Sequence, residues 1–82
     1  MSLLSELLDE LNKYLTGGSS GDRLEDWVVG HLQLILDSRD TRAIGIANEI
    51  DACFVELGEG IIDLAAFNDR LSGLAYQSAA AS

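Results

Sequence analysis

Residues 20–37 read SGDRLEDWVVGHLQLILD, and the spacing of their apolar side chains indicates the fold class. The spacing is three and four rather than two, which predicts an α-helix. One face of this helix carries Leu24, Val28, His31 and Ile35. The rest of its circumference is also largely apolar, with Trp27, Val29, Leu32, Leu34 and Leu36. A helix that is apolar nearly all round is either central in its bundle or covered by a second chain.

The start and the middle of this helix give two further expectations. Asp22 to Glu25 fits a capping box, and Ser19 with Asp22 is a competing arrangement. Gly30, in the middle of the helix, costs about 1 kcal/mol relative to alanine. That cost predicts that another helix crosses closely at Gly30.

Three more segments show the same helical spacing in a chain without proline. Glycines separate the first helix from the second and the third from the fourth, and the polar stretch 37–41 separates the second from the third. The predicted helices span residues 2–16, 20–37, 41–57 and 64–75. Ser2 and Asp63 are the expected N-caps of the first and last helices, and Gly17 stands where a left-handed residue ends the first. The apolar stripe of the third consists of Ala43, Ile46, Ala47, Ile50, Cys53, Phe54 and Leu57.

Four helices joined by short loops predict an all-α fold, a compact antiparallel four-helix bundle. A chain of 82 residues makes one domain, expected over residues 1–76. The remaining residues, 77–82, have little apolar surface to bury and are expected to form a disordered tail.

Charge and composition exclude several classes of partner. Acidic residues number 14 against 5 basic ones, for a formal net charge of −9. Electrostatic binding to nucleic acid or to an anionic membrane needs clustered Lys and Arg, so neither partner is expected. The N-terminal residues lack the layout of a signal peptide, and no apolar run approaches the length of a membrane span. A cytoplasmic location is therefore expected.

The residues that carry enzyme chemistry are scarce. His31 is the only histidine and Cys53 the only cysteine, so multi-His and Cys-based metal sites are not expected. A di-iron bundle needs Glu three residues before a His, and Val28 occupies that position. Cys53 lies on the apolar stripe of the third helix, where a buried thiol is the usual outcome. No catalytic residue, cofactor or metal is predicted, and the chain is expected not to be an enzyme.

One short motif resembles another class of small acidic helical proteins. Asp37-Ser38 resembles the start of the Asp-Ser-Leu motif of acyl carrier proteins, which carry phosphopantetheine on that serine. Arg39 stands where that family has leucine, and a continuous helix is predicted before the motif in place of the family's long loop. The resemblance implies an acyl-carrier-like role for Ser38, which is kept as a remote alternative.

The composition favours a small acidic protein–protein interaction module that self-associates, most simply as a homodimer, through the second helix. The candidate interface residues are Trp27, Val29, Leu34 and Leu36. The alternative is an acidic inhibitor of the immunity or antitoxin type, which covers a basic partner such as a nuclease. The candidate acidic patch for that role is Glu49, Glu56, Glu59 and Asp63.

Overall fold

The computed structural model describes residues 2–80, which form four α-helices. These are α1 (Leu3–Leu15), α2 (Gly21–Asp37), α3 (Thr41–Gly58) and α4 (Leu64–Ala80). The predicted all-α four-helix fold is confirmed, and the first three helices begin and end within one residue of the predicted bounds. The radius of gyration is 11.9 Å, close to the roughly 12 Å expected for a folded chain of this length.

The helices pack around α3. Each consecutive pair is joined by a short loop, so each helix runs back along the one before it. In the described part of the chain every pair of helices makes contact except α2 with α4. α1 and α3 therefore lie across the middle, and α2 and α4 occupy opposite corners.

The structure does not place α2 at the centre of the bundle, which is the first of the two positions that its apolar circumference allows. Its buried residues are Leu24, Val28 and Ile35, whereas α3 buries Ala43, Ile46, Ala47, Ile50 and Cys53. The small side chains of Ala43 and Ala47 let neighbouring helices approach α3 closely, which suits it to the centre. α2 has as many large apolar residues, but much of its circumference faces away from the core.

Phe67 links three helices at one end of the core. Its ring lies 4.9 Å from that of Phe54 on α3 and 6.0 Å from that of Tyr14 on α1, between ring centroids. The Tyr14 hydroxyl donates a hydrogen bond to Oδ1 of Asn68, at 2.5 Å. Edge-to-face aromatic pairs add about 0.5–1.5 kcal/mol beyond the apolar area they bury.

The helix starts confirm two of the predicted caps and correct a third. The Ser2 hydroxyl accepts from the Ser5 N–H, and the Asp63 carboxylate accepts from the Ala66 N–H. At α2, however, the cap is Ser20, whose hydroxyl accepts from the Arg23 N–H at 3.2 Å. Neither predicted capping box forms there, because the helix begins at Gly21 and Ser20 already satisfies the donor at the third helical position.

The surroundings of Gly30 also differ from expectation. In the described part of the chain, no side chain or neighbouring helix lies within 4 Å of the position that a Cβ would take there. Gly30 is exposed on the outer side of α2. No helix of the same chain crosses at this glycine, since α1 and α3 contact other faces of α2.

The last helix is longer than predicted. α4 continues to Ala80, five residues beyond the expected end near Ala75. Residues 76–80 contain no glycine or proline, and alanine has the highest helix propensity, so nothing local ends the helix. The stretch 77–82 that was expected to form a disordered tail is thus helical at residues 77–80, and residues 81 and 82 lie outside the described residues.

The turn between α2 and α3 places a non-glycine residue in the left-handed region. Arg39 has φ of +60°. The Ser38 hydroxyl donates to the Ile35 carbonyl oxygen at 2.6 Å and accepts from the Asp40 N–H at 3.2 Å. These bonds hold the three-residue turn in a conformation that an L-amino acid with a Cβ adopts at a cost of roughly 1–2 kcal/mol.

Replacing Arg39 with glycine should stabilise the fold. Removing the Cβ relieves the backbone strain. The greater conformational freedom of glycine in the unfolded chain offsets part of this gain, lowering the stability by roughly 0.5–1 kcal/mol. We expect Arg39→Gly to raise the free energy of unfolding by about 0.5–1 kcal/mol, measured by urea denaturation. Arg39→Ala is the matched control, since it removes the same charge and keeps the Cβ. Equal shifts in the two variants would show that charge, and not backbone strain, is responsible.

Candidate functional site

α2 exposes large apolar side chains to solvent after the bundle has formed. The exposed fractions are 60% for Val29, 57% for Leu34 and 42% for Leu36. These are three of the four predicted interface residues. The fourth, Trp27, is half-buried against the edge of the core.

Trp27 is held in place by the histidine one turn later. The two rings stack with centroids 4.1 Å apart and an interplanar angle of 15°. Nδ1 of His31 lies 2.8 Å from the Trp27 carbonyl oxygen, a hydrogen-bond distance. This arrangement fixes the indole before any partner binds, which lowers the entropy that a contact through Trp27 would cost.

Helical geometry divides the four candidate interface residues between two faces of α2. Residues seven apart lie on the same face, within about 20°, whereas residues two apart lie about 200° apart. Trp27 and Leu34 therefore share one face with Gly30 between them, here called the Trp27 ridge. Val29 and Leu36 share another, here called the Val29 ridge. A single flat contact surface cannot cover both ridges.

The predicted acidic patch is partly neutralised within the chain. Arg70 of α4 forms ion pairs with two carboxylates of α3, those of Glu49 at 3.5 Å and Glu56 at 2.5 Å. Sequence analysis missed Arg70. The sequence feature that could have identified it is that Arg70 is the only Lys or Arg after Arg42. It follows Glu49 and Glu56, two acids that lie seven residues apart on the preceding helix. Exposed pairs of this kind contribute roughly 0–1 kcal/mol each, so their main effect is on local charge.

The other two acidic candidates lie near the start of α4. Asp63 is exposed, and its Oδ1 accepts the Ala66 N–H at 2.8 Å. Glu59 is exposed at the end of α3. The structure thus separates the four carboxylates into an ion-paired couple, a helix cap and one free surface group. They do not form a single uncompensated patch.

Cys53 lies beneath the ion pairs of Arg70. It is 1% exposed and unpaired, and it borders a cavity of about 250 Å³ with Glu49 and Arg70. Burial raises the pKa of its thiol; the Arg70 charge acts in the opposite direction, and Glu49 and Glu56 add to the increase. A buried thiol with a raised pKa is a poor nucleophile. The burial of Cys53 among the core side chains confirms the prediction that it is a core residue.

A cavity of about 470 Å³ opens at the end of the bundle where α1 and α3 finish and α2 and α4 begin. Its apolar lining includes Tyr14, Phe54 and Leu64, and Asp22 and Glu25 lie at its polar side. That residues from the ends of all four helices line one cavity agrees with their antiparallel order. The cavity is a wide surface depression with no convergent set of polar groups.

The serine of the acyl-carrier-like motif occupies the end of α2. Ser38 is the C-cap of that helix, and its hydroxyl both donates and accepts within the α2–α3 turn. A group attached to this oxygen would displace the hydrogen bond to the Ile35 carbonyl.

Residues 2–80 contain neither a cluster of metal ligands nor a membrane-spanning helix. In that range no three His, Cys, Asp or Glu side chains are grouped so that they could hold a metal ion. No helix there combines the length and the apolar character that crossing a bilayer requires.

Comparisons with known protein families, with curated proteins and with solved structures find no match to this chain.

The raised pKa of Cys53 gives the fold a specific pH dependence. In the unfolded chain the thiol ionises from its ordinary value of 9.0, whereas in the folded chain it ionises at higher pH. The stability that this difference supplies is present below pH 9 and is lost as the pH rises through the pKa of the folded thiol. We expect the urea midpoint of the native chain to fall more steeply between pH 8 and about 10.5 than that of Cys53→Ala.

The comparison of slopes separates the thiol from other groups. The other ionisable groups are present in both proteins, so their effect on the two curves is the same. The lower stability that alanine causes by leaving a small void shifts the whole curve and not its slope. Parallel curves would contradict the assignment of the alkaline loss to Cys53.

Proposed function

We propose that this chain is a small acidic, non-enzymatic interaction module that self-associates through α2. One observation carries the proposal: α2 keeps three large apolar side chains at least 42% exposed, in a bundle where it touches only α1 and α3. A helix that is apolar on its outer side is typical of a surface that a second chain covers.

The energetics favour such a contact. A domain of this size buries only about 60% of the surface that its unfolded chain exposes, so it has little apolar burial to spare. Fully burying a leucine or valine contributes roughly 1.5–3 kcal/mol, and covering side chains that are 42% to 60% exposed contributes about half of that each. In a symmetric dimer each residue is covered twice, once on each subunit. A few side chains of α2 therefore supply a large part of the association free energy.

The acidic-inhibitor alternative has less support. Three of its four carboxylates already bind partners within the chain: Glu49 and Glu56 bind Arg70, and Asp63 caps α4. A cationic partner would compete with Arg70 for the first two. The proposal includes a cytoplasmic location, which agrees with a buried cysteine that forms no disulfide.

The test is the mass in solution, measured by light scattering at several protein concentrations. The native chain should approach 17.6 kDa, twice the mass of one 8.8 kDa chain. Two variants each place a carboxylate on one ridge: Leu34→Glu on the Trp27 ridge, and the double variant Val29→Glu/Leu36→Glu on the other. Glutamate favours helix and all three positions are solvent-exposed, so the circular dichroism of the monomer should not change.

We expect one of these two α2 variants to raise the dimer dissociation constant at least about a hundredfold, because each lost contact occurs twice. Val55→Glu is the matched control, an equally apolar side chain that is 50% exposed but lies on α3. It should leave the dimer intact. A native chain that stays monomeric at every concentration, or a dimer that both α2 variants leave unchanged, would contradict the proposal.

A further inference from the structure

Two charges of α2 stand at the wrong ends of the helix for its dipole. Arg23 lies in the first turn, and Asp37 is the last helical residue. The N-terminal end of a helix carries a partial positive charge and favours acids, and the C-terminal end favours bases. Both residues are therefore unfavourably placed for the stability of α2 itself.

No contact within the described chain offsets this placement for Arg23. None of the ion pairs in residues 2–80 involves the Arg23 side chain. The backbone N–H of Arg23 donates a hydrogen bond to the Ser20 hydroxyl, which caps the helix. Asp37 accepts a hydrogen bond from the Gln33 side-chain amide at 3.0 Å, which leaves its charge uncompensated. Both side chains are exposed.

The two charges lie at the ends of the Trp27 ridge. The positions follow spacings of four, three, four and three along one face of α2, in the order Arg23, Trp27, Gly30, Leu34, Asp37. The order is nearly symmetric about Gly30, with a base and an aromatic ring on one side and a leucine and an acid on the other. At the centre the backbone is bare, because the Cβ position of Gly30 is open to solvent.

Resting on the proposed function, we infer that the partner is a second copy whose α2 crosses antiparallel at Gly30, on a two-fold axis. Arg23 then faces the partner's Asp37 at both ends of the contact. Trp27 packs beside the partner's Leu34, and the two glycines let the helix backbones approach closely. A two-fold contact requires a surface that is complementary to itself, and this ridge has both charge signs in symmetric positions.

The Val29 ridge lacks this complementarity. Arg23 is the only basic residue in α2, so a self-contact on that ridge has no cation to place against an acid. Glu25, one turn before Val29, would approach a second copy of an already acidic chain. An exposed acid, Asp26, borders the Trp27 ridge as well, but only this ridge also has a cation, Arg23, and the charges therefore favour it over the Val29 ridge.

A charge exchange tests the geometry on the full chain. Arg23→Asp alone places two acids opposite each other at both ends of the contact, and Asp37→Arg alone places two bases there. We expect either variant to raise the dissociation constant about tenfold. The double variant Arg23→Asp/Asp37→Arg restores opposite charges and should return to within about threefold of the native value.

Loss of folding cannot imitate this pattern. Both substitutions place charges as the helix dipole favours, so the thermal stability of the monomer should stay equal or rise. Asp69→Arg is the control for added positive charge: Asp69 is exposed on α4, which does not contact α2, and should leave the dimer unchanged or strengthen it by lowering net repulsion. All measurements are made at one ionic strength, since salt screens these interactions.

The outcomes separate this inference from the proposed function. A double variant as weak as the singles would overturn the antiparallel crossing at Gly30 while self-association through α2 stands. Dimerisation that Val29→Glu/Leu36→Glu abolishes and Leu34→Glu does not would also overturn it. A native chain that is monomeric at every concentration would overturn both.

Discussion

The contact of α1 with α3 across the middle of the bundle is the constraint on which the rest of the structure depends. α1 and α3 each contact all three other helices, and the alanines at positions 43 and 47 let the neighbouring helices approach α3 closely. Once α3 is central and α1 lies across it, α2 and α4 are held at opposite corners. The outer surface of α2 has no element left to cover it. Its exposed leucines and valine are therefore a consequence of which helix occupies the middle.

The helices themselves were predictable because their causes are local. Apolar spacing, N-caps such as Ser2 and Asp63, and the left-handed Gly17 all act within a few residues, and the structure confirms them. Which helix lies at the centre of the bundle, in contrast, is not determined by local sequence. α2 and α3 are similarly apolar, and the deciding property is the size of side chains at particular contacts, which depends on how the helices meet. Spacing alone likewise cannot predict which of several neighbouring polar residues caps a helix, as at Ser19, Ser20 and Asp22.

The candidate site was predictable in part for the same reason. Helical periodicity identifies which residues are apolar, but it takes the position of α2 in the bundle to show that Leu34 is exposed and that Trp27 is half-buried against His31. The acidic patch shows the opposite failure. Glu49 and Glu56 looked uncompensated because their partner, Arg70, lies 14 residues beyond the second of them. Sequence patterns within one helix cannot predict a contact that its residues make with another helix.

The placement of charge on α2 distinguishes a surface shaped for a partner from one that is merely apolar. Exposed leucines occur on many monomers and need no explanation individually. Charges set against the helix dipole are different, because each lowers the stability of the helix that carries it by about 0.3–1 kcal/mol. In a chain with only 5 basic residues, Arg70 is used to bind α3 to α4 and Arg23 is set where an acid belongs. In the proposed contact an opposite charge from the partner offsets this cost. The nearly symmetric positions of Arg23 and Asp37 about Gly30 are the basis for the proposal that a second copy supplies that charge.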